Sequence, residues 1–443
     1  MDEERDVLDV ADRLWTGADS VDDLHPITTW GGLAEVADGV AFTPSFANVS
    51  AVDTDDGLVL VDTGSALMAG TIHRTLRTWS SSRLHTAVYS HGHIDHVFGV
   101  PVWEDESAGQ GWEPPRVVAH EALPPRFDRY IATAGYNQII NRRQFGIDNL
   151  VWPTEYRYPD ETYRDHLDLT VGGRPVELHH ARGETDDHTW TWFPDRRVLC
   201  CGDLFIWASP NAGNPQKVQR YPREWADALR EMLRLFDRPG GGPEVLLPGH
   251  GFPVVGADRV RQALTDTAVL LESLVDQTVA LMNAGARLDE AVHTVTPPPE
   301  LLERPYLRPV YDEPEFIVHT IWRQYGGWWD GNPASLKPAR EVALAAELAE
   351  LAGGAGTLAD RALELLDRSG AGGADTDALL RLAGHLSELA WLAAPDDPAI
   401  RETRRAVFSR RSELATSTMA TGVFAWAARE SGPRPPAPSP HAH

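Results

Sequence analysis

Four side chains able to bind a metal ion lie within six residues, His91-Gly92-His93-Ile94-Asp95-His96. They directly follow an apolar, β-branched stretch, Thr86 to Tyr89, so the segment leaves the end of a predicted strand. In such a loop His91 and His93 turn towards one ion while Asp95 and His96 turn towards a second. Imidazole nitrogen and carboxylate oxygen suit zinc and related divalent metals. Two cations a few ångströms apart lower the pKa of a shared water from ~15.7 towards about 7, which makes hydroxide at neutral pH. Such a hydroxide needs no Ser, Cys or Lys nucleophile beside it, and none sits in a recognisable activating motif. A polar surface loop is the bland alternative, and it leaves the residue types and their spacing unexplained.

Such a loop needs a sheet behind it. From about residue 30 to 255 short apolar segments alternate with turns and helices. Strands are predicted at Leu58 to Val61, Thr86 to Tyr89, Val117 to Ala119, Val176 to His179, Thr189 to Phe193, Val198 to Cys201 and Val245 to Leu247. A helix is predicted over Pro222 to Asp237, where Trp225, Leu229, Met232, Leu233 and Phe236 recur at helical spacing and Gly240 follows. This alternation predicts an α/β domain with helices over sheets. Beyond residue 256 the strand signal stops. Val260, Leu264, Leu271, Val275, Thr278 and Met282 form a helical stripe ending at Gly285. A Pro-rich connector and a Trp-rich segment come next. Residues 339 to 429 are Ala/Leu-rich with breaks at Gly353-Gly354, Gly370 to Gly373 and Pro395 to Pro398, which predicts antiparallel helices, tetratricopeptide-like though without a clean repeat. The organisation expected is an N-terminal extension over 1–29, a catalytic domain over 30–256, a helical domain over 257–430 and a disordered tail over 431–443.

The bulk properties narrow the partners. The chain has 443 residues and a formal charge of −25, so it should repel nucleic-acid backbones and anionic membranes. Hydrophobic residues make up 42%, with 15 Trp, a globular composition. The start, Met-Asp-Glu-Glu-Arg-Asp, has neither a basic nor an apolar leader region, and no apolar run reaches the length of a membrane span. A cytoplasmic location is expected. The two cysteines, Cys200 and Cys201, are adjacent and read as small buried side chains of a strand.

The HxHxDH pattern resembles the signature of the metallo-β-lactamase superfamily. Leu58 to Gly64 resembles that family's early strand and Asp-Thr-Gly turn, which implies that Asp62 orients a ligand and is not one itself. Cys201-Gly202-Asp203 resembles its Gly-Asp element, whose carboxylate bridges two metals. Leu247-Pro248-Gly249-His250-Gly251 resembles its last motif, whose His completes the second ion. At the third motif, where the family often has a His, position matching places Glu184, with His179, His180 and His188 as competing candidates. The resemblance therefore implies an αββα sandwich holding two divalent ions on His91, His93, Asp95, His96, Glu184, Asp203 and His250. Zinc is expected first, and manganese or iron next because the site is rich in oxygen.

A glutamate at that position resembles the alkyl sulfatases of this superfamily. So does Tyr325-Gly326-Gly327-Trp328-Trp329-Asp330-Gly331-Asn332-Pro333-Ala334, which looks like the motif opening their helical dimerisation domain, and so does Asn141 to Gly146. The resemblance implies a homodimer acting on a sulfate ester or related ester-like bond of a small, anionic molecule. Phosphoester, thioester or lactone hydrolysis, or iron-dependent redox chemistry, are the alternatives on the same fold. Arg142, Arg143, Lys217 and His188 are the expected substrate contacts, with Asp95 and Asp203 carrying catalysis. Two departures stand out. The bridging position is Asp203 where those enzymes usually have Glu, and the segment Ser209 to Arg220 lacks their sulfate-holding motif, leaving Lys217 and Arg220 as its cations.

Overall fold

The computed structural model describes residues 6–28, 31–370, 373 and 375–432. The chain divides into two compact units. The first comprises residues up to Asn137 together with Trp152–Asp330, and the second comprises Gln138–Val151 together with residues from Gly331 on.

Among the described residues the first unit contains two sheets. One has seven strands in sequence order: β1 (Ala34–Ala37), β2 (Val40–Thr43), β3 (Val49–Thr54), β4 (Gly57–Val61), β5 (Leu84–Val88), β6 (Arg116–His120) and β7 (Glu161–Tyr163). The other has six: β8 (His166–Val171), β9 (Arg174–Ala181), β10 (His188–Phe193), β11 (Val198–Gly202), β12 (Val245–Pro248) and β13 (Val254–Val255), in the order β13-β12-β11-β10-β9-β8. The seven predicted strands fall on β4, β5, β6, β9, β10, β11 and β12, and the structure adds β1 to β3, β7, β8 and β13. β2, β4, β10 and β11 are buried at every position, as strands covered on both faces must be. Helices Ala69–Trp79 and Val100–Gln110 pack on the first sheet, and Pro222–Leu233 and Ala257–Asn283 pack on the second. The layers are therefore helix, sheet, sheet, helix, the αββα sandwich expected.

Two pairings matter for the site. β4 and β5 are parallel, and so are β11 and β12. Parallel neighbours end at the same edge, so the four loops that leave them emerge together. Cys200 and Cys201, in β11, are buried free thiols.

The N-terminal segment is more than an extension. Asp6 accepts from the backbone N–H groups of Leu8 and Asp9 and starts a helix, Val7–Thr16, which buries Val7, Val10, Ala11 and Leu14 and stops at Gly17. Trp15 stacks on Tyr306 with ring centroids 4.8 Å apart. Strands end near residue 255, as read from the sequence, but the compact unit continues to Asp330. The reason is burial: Val260, Leu264, Leu271 and Val275 of the long helix face the helix Pro222–Leu233 and the sheet beneath.

The second unit is helical. Helices Glu341–Ala352, Ala355–Ser369, Thr376–Ala393 and Pro398–Leu414 break where the Gly and Pro clusters placed the turns, and a further break at Ala415 to Ser417, where Ser417 caps Thr418–Glu430, was not marked by Gly or Pro. Its core is built on small residues: Ala359 with Ala390 and Ile400, and Ala362 with Ala383, Leu365 and Val407. The stretch Gln138–Val151, from the first half of the sequence, belongs here. Gly422 shows why, since a Cβ on it would lie 2.0 Å from the carbonyl oxygen of Gln144. No single helix among the described residues is long and apolar enough to cross a membrane, and the one helix pair that approaches the criterion is bent by 85°. The tail expected over 431–443 lies outside the described residues from 433 on. Ser431 itself is buried and donates to Ala427 O.

Candidate metal centre

Four loops meet at one edge of the sandwich. β5 delivers His91, His93, Asp95 and His96. The β9–β10 connection delivers Glu184, β11 delivers Asp203 and β12 delivers His250. Ligand atoms of His91, His93, Glu184 and Asp203 all lie within 4.8 Å of one another, and so do those of Asp95, His96 and His250. Asp203 links the two groups. Its Oδ2 is 3.7 Å from His91 Nε2 and 3.3 Å from His250 Nε2, and its Oδ1 is 3.5 Å from His96 Nε2. Asp95 Oδ2 is 3.7 Å from His96 Nε2 and 3.6 Å from His250 Nε2, and His93 Nδ1 is 3.7 Å from Glu184 Oε1. All seven side chains singled out in the sequence are thus brought together.

Each ligand is held from behind. Asp62 sits in the left-handed region at φ 61 at the end of β4, and its carboxylate accepts three bonds: from Ser90 N at 2.7 Å, Ser90 Oγ at 2.8 Å and His96 Nδ1 at 2.7 Å. That fixes the His96 tautomer and turns Nε2 into the cluster. Ser90 Oγ lies 3.0 Å from His91 Nδ1 and does the same for that ring. His250 Nδ1 bonds to Phe46 O. Asn48 donates to the carbonyls of Pro248 and Gly251, both at 3.0 Å, and so ties the His250 loop to the opposite sheet. Glu184 receives Asn211 Nδ2 and, at 3.0 Å, Arg220 NH1, which also reaches the Glu184 carbonyl at 2.6 Å. Asp187 accepts from Gly92 N at 2.9 Å and pairs with buried Arg126 at 2.8 Å, bracing the histidine loop. At Gly249 a Cβ would lie 2.0 Å from Asp203 Oδ1, so only glycine permits the bridging carboxylate there.

The electrostatics call for a cation. His96 Nε2, Glu184 Oε2 and Asp203 Oδ1 are buried yet bond to no group of the protein, although such atoms are rarely left unpaired. Burial pushes the Glu184 carboxyl well up, with Arg220 opposing and Asp203 reinforcing. Burial also works against the Asp203 carboxylate, but His250, His96 and His91 outweigh it and hold that group well below the usual range. His96 is raised the other way: burial is overcome by Asp203, Asp62 and Asp95. Protons thus balance a buried knot of carboxylates and imidazoles, a task that divalent cations perform with the same donor atoms. The residues fit a pair of such ions. Side chains of His93 and Asp95 are 19% and 18% exposed while His91 and His96 are sealed, so the cluster opens to solvent on the His93 and Asp95 side.

The expected substrate contacts fare differently. His188 is fully buried behind the cluster. Its ring stacks on His91 and its Nε2 accepts from Asp203 N at 3.1 Å, so it positions the bridging residue and does not face a substrate. His179 stacks on Trp190 and His180 on His120, so of the third-motif candidates Glu184 is the one whose side chain joins the cluster. Arg142 and Arg143 lie in the second unit, where Arg142 Nε donates to Leu150 O at 2.8 Å and Arg143 covers the Trp426 ring at 4.1 Å. They do not belong to the unit that holds the ligands. Lys217, partly buried over Trp152 at 5.7 Å, is lowered to about 8 by burial and by Arg220, while Asp95 and Glu184 oppose the shift. Arg220 is spent on Glu184. Asn48, Asp187 and Asn211 were not singled out in the sequence; nothing local marks them, because each acts on a loop distant along the chain.

Comparison with known proteins fits this geometry. The family model described as the metallo-beta-lactamase superfamily matches residues 42–250, and that described as alkyl sulfatase dimerisation matches residues 287–432. A linear primary-alkylsulfatase of a Pseudomonas species is 30% identical over 329 residues, 68% of this chain and 60% of that protein. An (R)-specific secondary-alkylsulfatase, also from Pseudomonas, is 28% identical over 351 residues, 73% of this chain and 52% of that protein. The chain therefore spans little more than half the length of these relatives. The solved structure of the stereoselective inverting sec-alkylsulfatase Pisa1 from Pseudomonas superposes with a TM-score of 0.80 at 23% identity, over 92% of this chain and 66% of that one, which shows a shared fold. With residues 42–250 and 287–432 matched by these two family models, the chain belongs to the metallo-β-lactamase superfamily, in the alkyl sulfatase-like group that carries an alkyl sulfatase dimerisation domain.

Proposed function

We propose that this protein is a dinuclear metal-dependent hydrolase that cleaves a sulfate ester, or a related ester-like bond, of a small anionic molecule. The observation that carries the reading is the position of Asp203, within 3.3 to 3.7 Å of His250, His96 and His91, between the two ligand groups. A pair of divalent ions, zinc before manganese or iron, supplies when bound an acidified water and an electrophile for the ester oxygen. The residues of the chain do the rest. Asp203 sets the spacing of the two ligand groups. Asp62 holds the proton on His96 Nδ1 so that Nε2 presents a lone pair. Asn211 and Arg220 keep Glu184 aimed at His93 despite its burial. Substrate approaches from the His93 and Asp95 side, where Lys217 contributes positive charge suited to a sulfate group.

The similarity to two alkylsulfatases supports sulfate esters over phosphoesters, thioesters and lactones. A homodimer formed through the helical unit, and a cytoplasmic location away from nucleic acid and membrane, are part of the same proposal. Exposed Val342, Leu344 and Leu351 on the helix Glu341–Ala352 offer an apolar surface for a second copy. The deciding experiment measures release of inorganic sulfate from a medium-chain primary alkyl sulfate, beside phosphoester, thioester and lactone substrates, with metal content determined on the same preparation. Sulfate release with two ions per chain supports the proposal. Turnover of another ester class alone, or one ion per chain in the active protein, overturns it.

A further inference from the structure

A second histidine arrangement stands apart from the metal cluster, at the margin of the six-stranded sheet. β8 is an edge strand there and β9 is its antiparallel neighbour. His166 is directly opposite His179, and Asp168 is directly opposite Glu177. Opposed residues share a face, so these four side chains form a two-by-two patch.

Within the patch each imidazole is backed by a carboxylate. His166 Nε2 lies 2.8 Å from Asp168 Oδ1, and His179 Nε2 lies 3.3 Å from Glu177 Oε2. Each carboxylate sits on the Nε2 side of its ring, which favours the proton there and turns the Nδ1 lone pairs to any cation between the rings. Those two Nδ1 atoms face each other at 3.4 Å. Two imidazole–zinc bonds of about 2.0–2.1 Å at a tetrahedral angle separate their nitrogens by about 3.3–3.4 Å. Carboxylate backing of the far nitrogen is also how metal-binding histidines are commonly fixed in tautomer and orientation.

The surroundings agree. The His179 ring is clamped flat on Trp190, with centroids 3.9 Å apart and planes 6° from parallel. Burial, with His166 adding, pushes His179 down to about 4, so its lone pair is available at neutral pH. Arg238, 2.7 Å from Glu177 Oε2, offsets one of the two carboxylates and leaves the patch net negative. His166 is 42% exposed, which gives solvent and ions access. The main cluster has the same signature: His91 Nδ1 is held by Ser90, and its Nε2 faces His93 Nδ1 at 2.7 Å.

The geometry points to a separate metal site on His166 Nδ1 and His179 Nδ1, taking zinc or a similar borderline divalent ion with solvent in the remaining positions. An ion there clips the edge strand β8 to β9, at the margin where a sheet is most open to fraying and to pairing with other chains. The site lies outside the catalytic machinery, and its existence does not depend on the proposed substrate.

The test titrates zinc alone into protein whose main cluster has been filled and the excess removed by desalting, with bound zinc counted by equilibrium dialysis and elemental analysis. The wild-type chain is expected to take up one ion more than His166→Ala or His179→Gln, and its melting temperature is expected to rise with added zinc while that of His166→Ala does not. Asp168→Asn should weaken the extra binding by about tenfold. Equal zinc uptake by the wild type and His166→Ala throughout the titration overturns the proposal. Because His166 is half exposed, that variant keeps the test decisive even if His179→Gln fails to fold.

Discussion

The two units bury different things. In the first, the edge of the sandwich is a dense polar assembly in which Asp62, Ser90, Asn48, Asn211 and Arg220 each hold a ligand or its loop. In the second, the buried positions are largely alanines and aliphatics packed between helices, with Leu344, Leu351 and Leu382 left exposed. The contrast teaches where tolerance lies. A buried polar network fails when one partner is removed, because the groups left behind are unpaired in a medium of low dielectric. A helical core of small residues resists such single deletions but is sensitive to added volume.

Four substitutions sharpen that contrast, from the largest effect downwards. Gly249→Ala should be among the most damaging, since its methyl group would occupy the place of Asp203 Oδ1. Metal content should fall together with activity, and the loss should match that of Asp203→Ala, more than about 10²-fold in kcat/KM. Full metal content in Gly249→Ala would show that the bridging geometry is wrong. Asp62→Asn comes next. It removes an acceptor for His96 Nδ1, and metal affinity or activity should drop by about 10–100-fold with the fold intact by circular dichroism. An unchanged variant would remove Asp62 from the design of the site.

The remaining two act on the second unit. Ala362→Leu adds three carbons at a fully buried position facing Ala383 and Val407, and should cost about 1–3 kcal/mol of stability without changing metal content. A loss of metal equal to that of Asp62→Asn would contradict the separation of roles drawn above. Leu351→Asp alters a side chain 77% exposed, so stability should stay within about 0.5 kcal/mol. If that face is covered by a second copy, the variant should shift from dimer to monomer in light scattering, and an unshifted mass would place the dimer contact elsewhere.

The sequence was most legible where chemistry is local. His91, His93, Asp95 and His96 share one loop, and Gly202-Asp203 and Gly249-His250 each follow a strand whose apolar text is unmistakable. Three of the helix breaks of the second unit were equally plain, because Gly and Pro act on their own backbone. Less was legible in β1 to β3 and β8. These segments are short or mixed in polarity, and their state is set by the neighbours they pair with. His188 shows the limit from the other side. Its position near the third motif suggested a substrate contact, yet the fold turns it inward to accept from Asp203 N.

What the sequence alone determined was the four-residue histidine and aspartate loop, by residue type and spacing, the side chains that join it, by their resemblance to a known family, and the change from strands to helices along the chain, by its periodicity. What only the tertiary structure decided was which partners hold those ligands and where the insertion goes. Asn48 reaches carbonyls some 200 positions away, and Gln138–Val151 joins helices that begin almost 200 residues later. Contacts of that kind leave no periodicity in the chain. They come into being only when sheets and helices close over one another and a buried polar atom must find its partner in space.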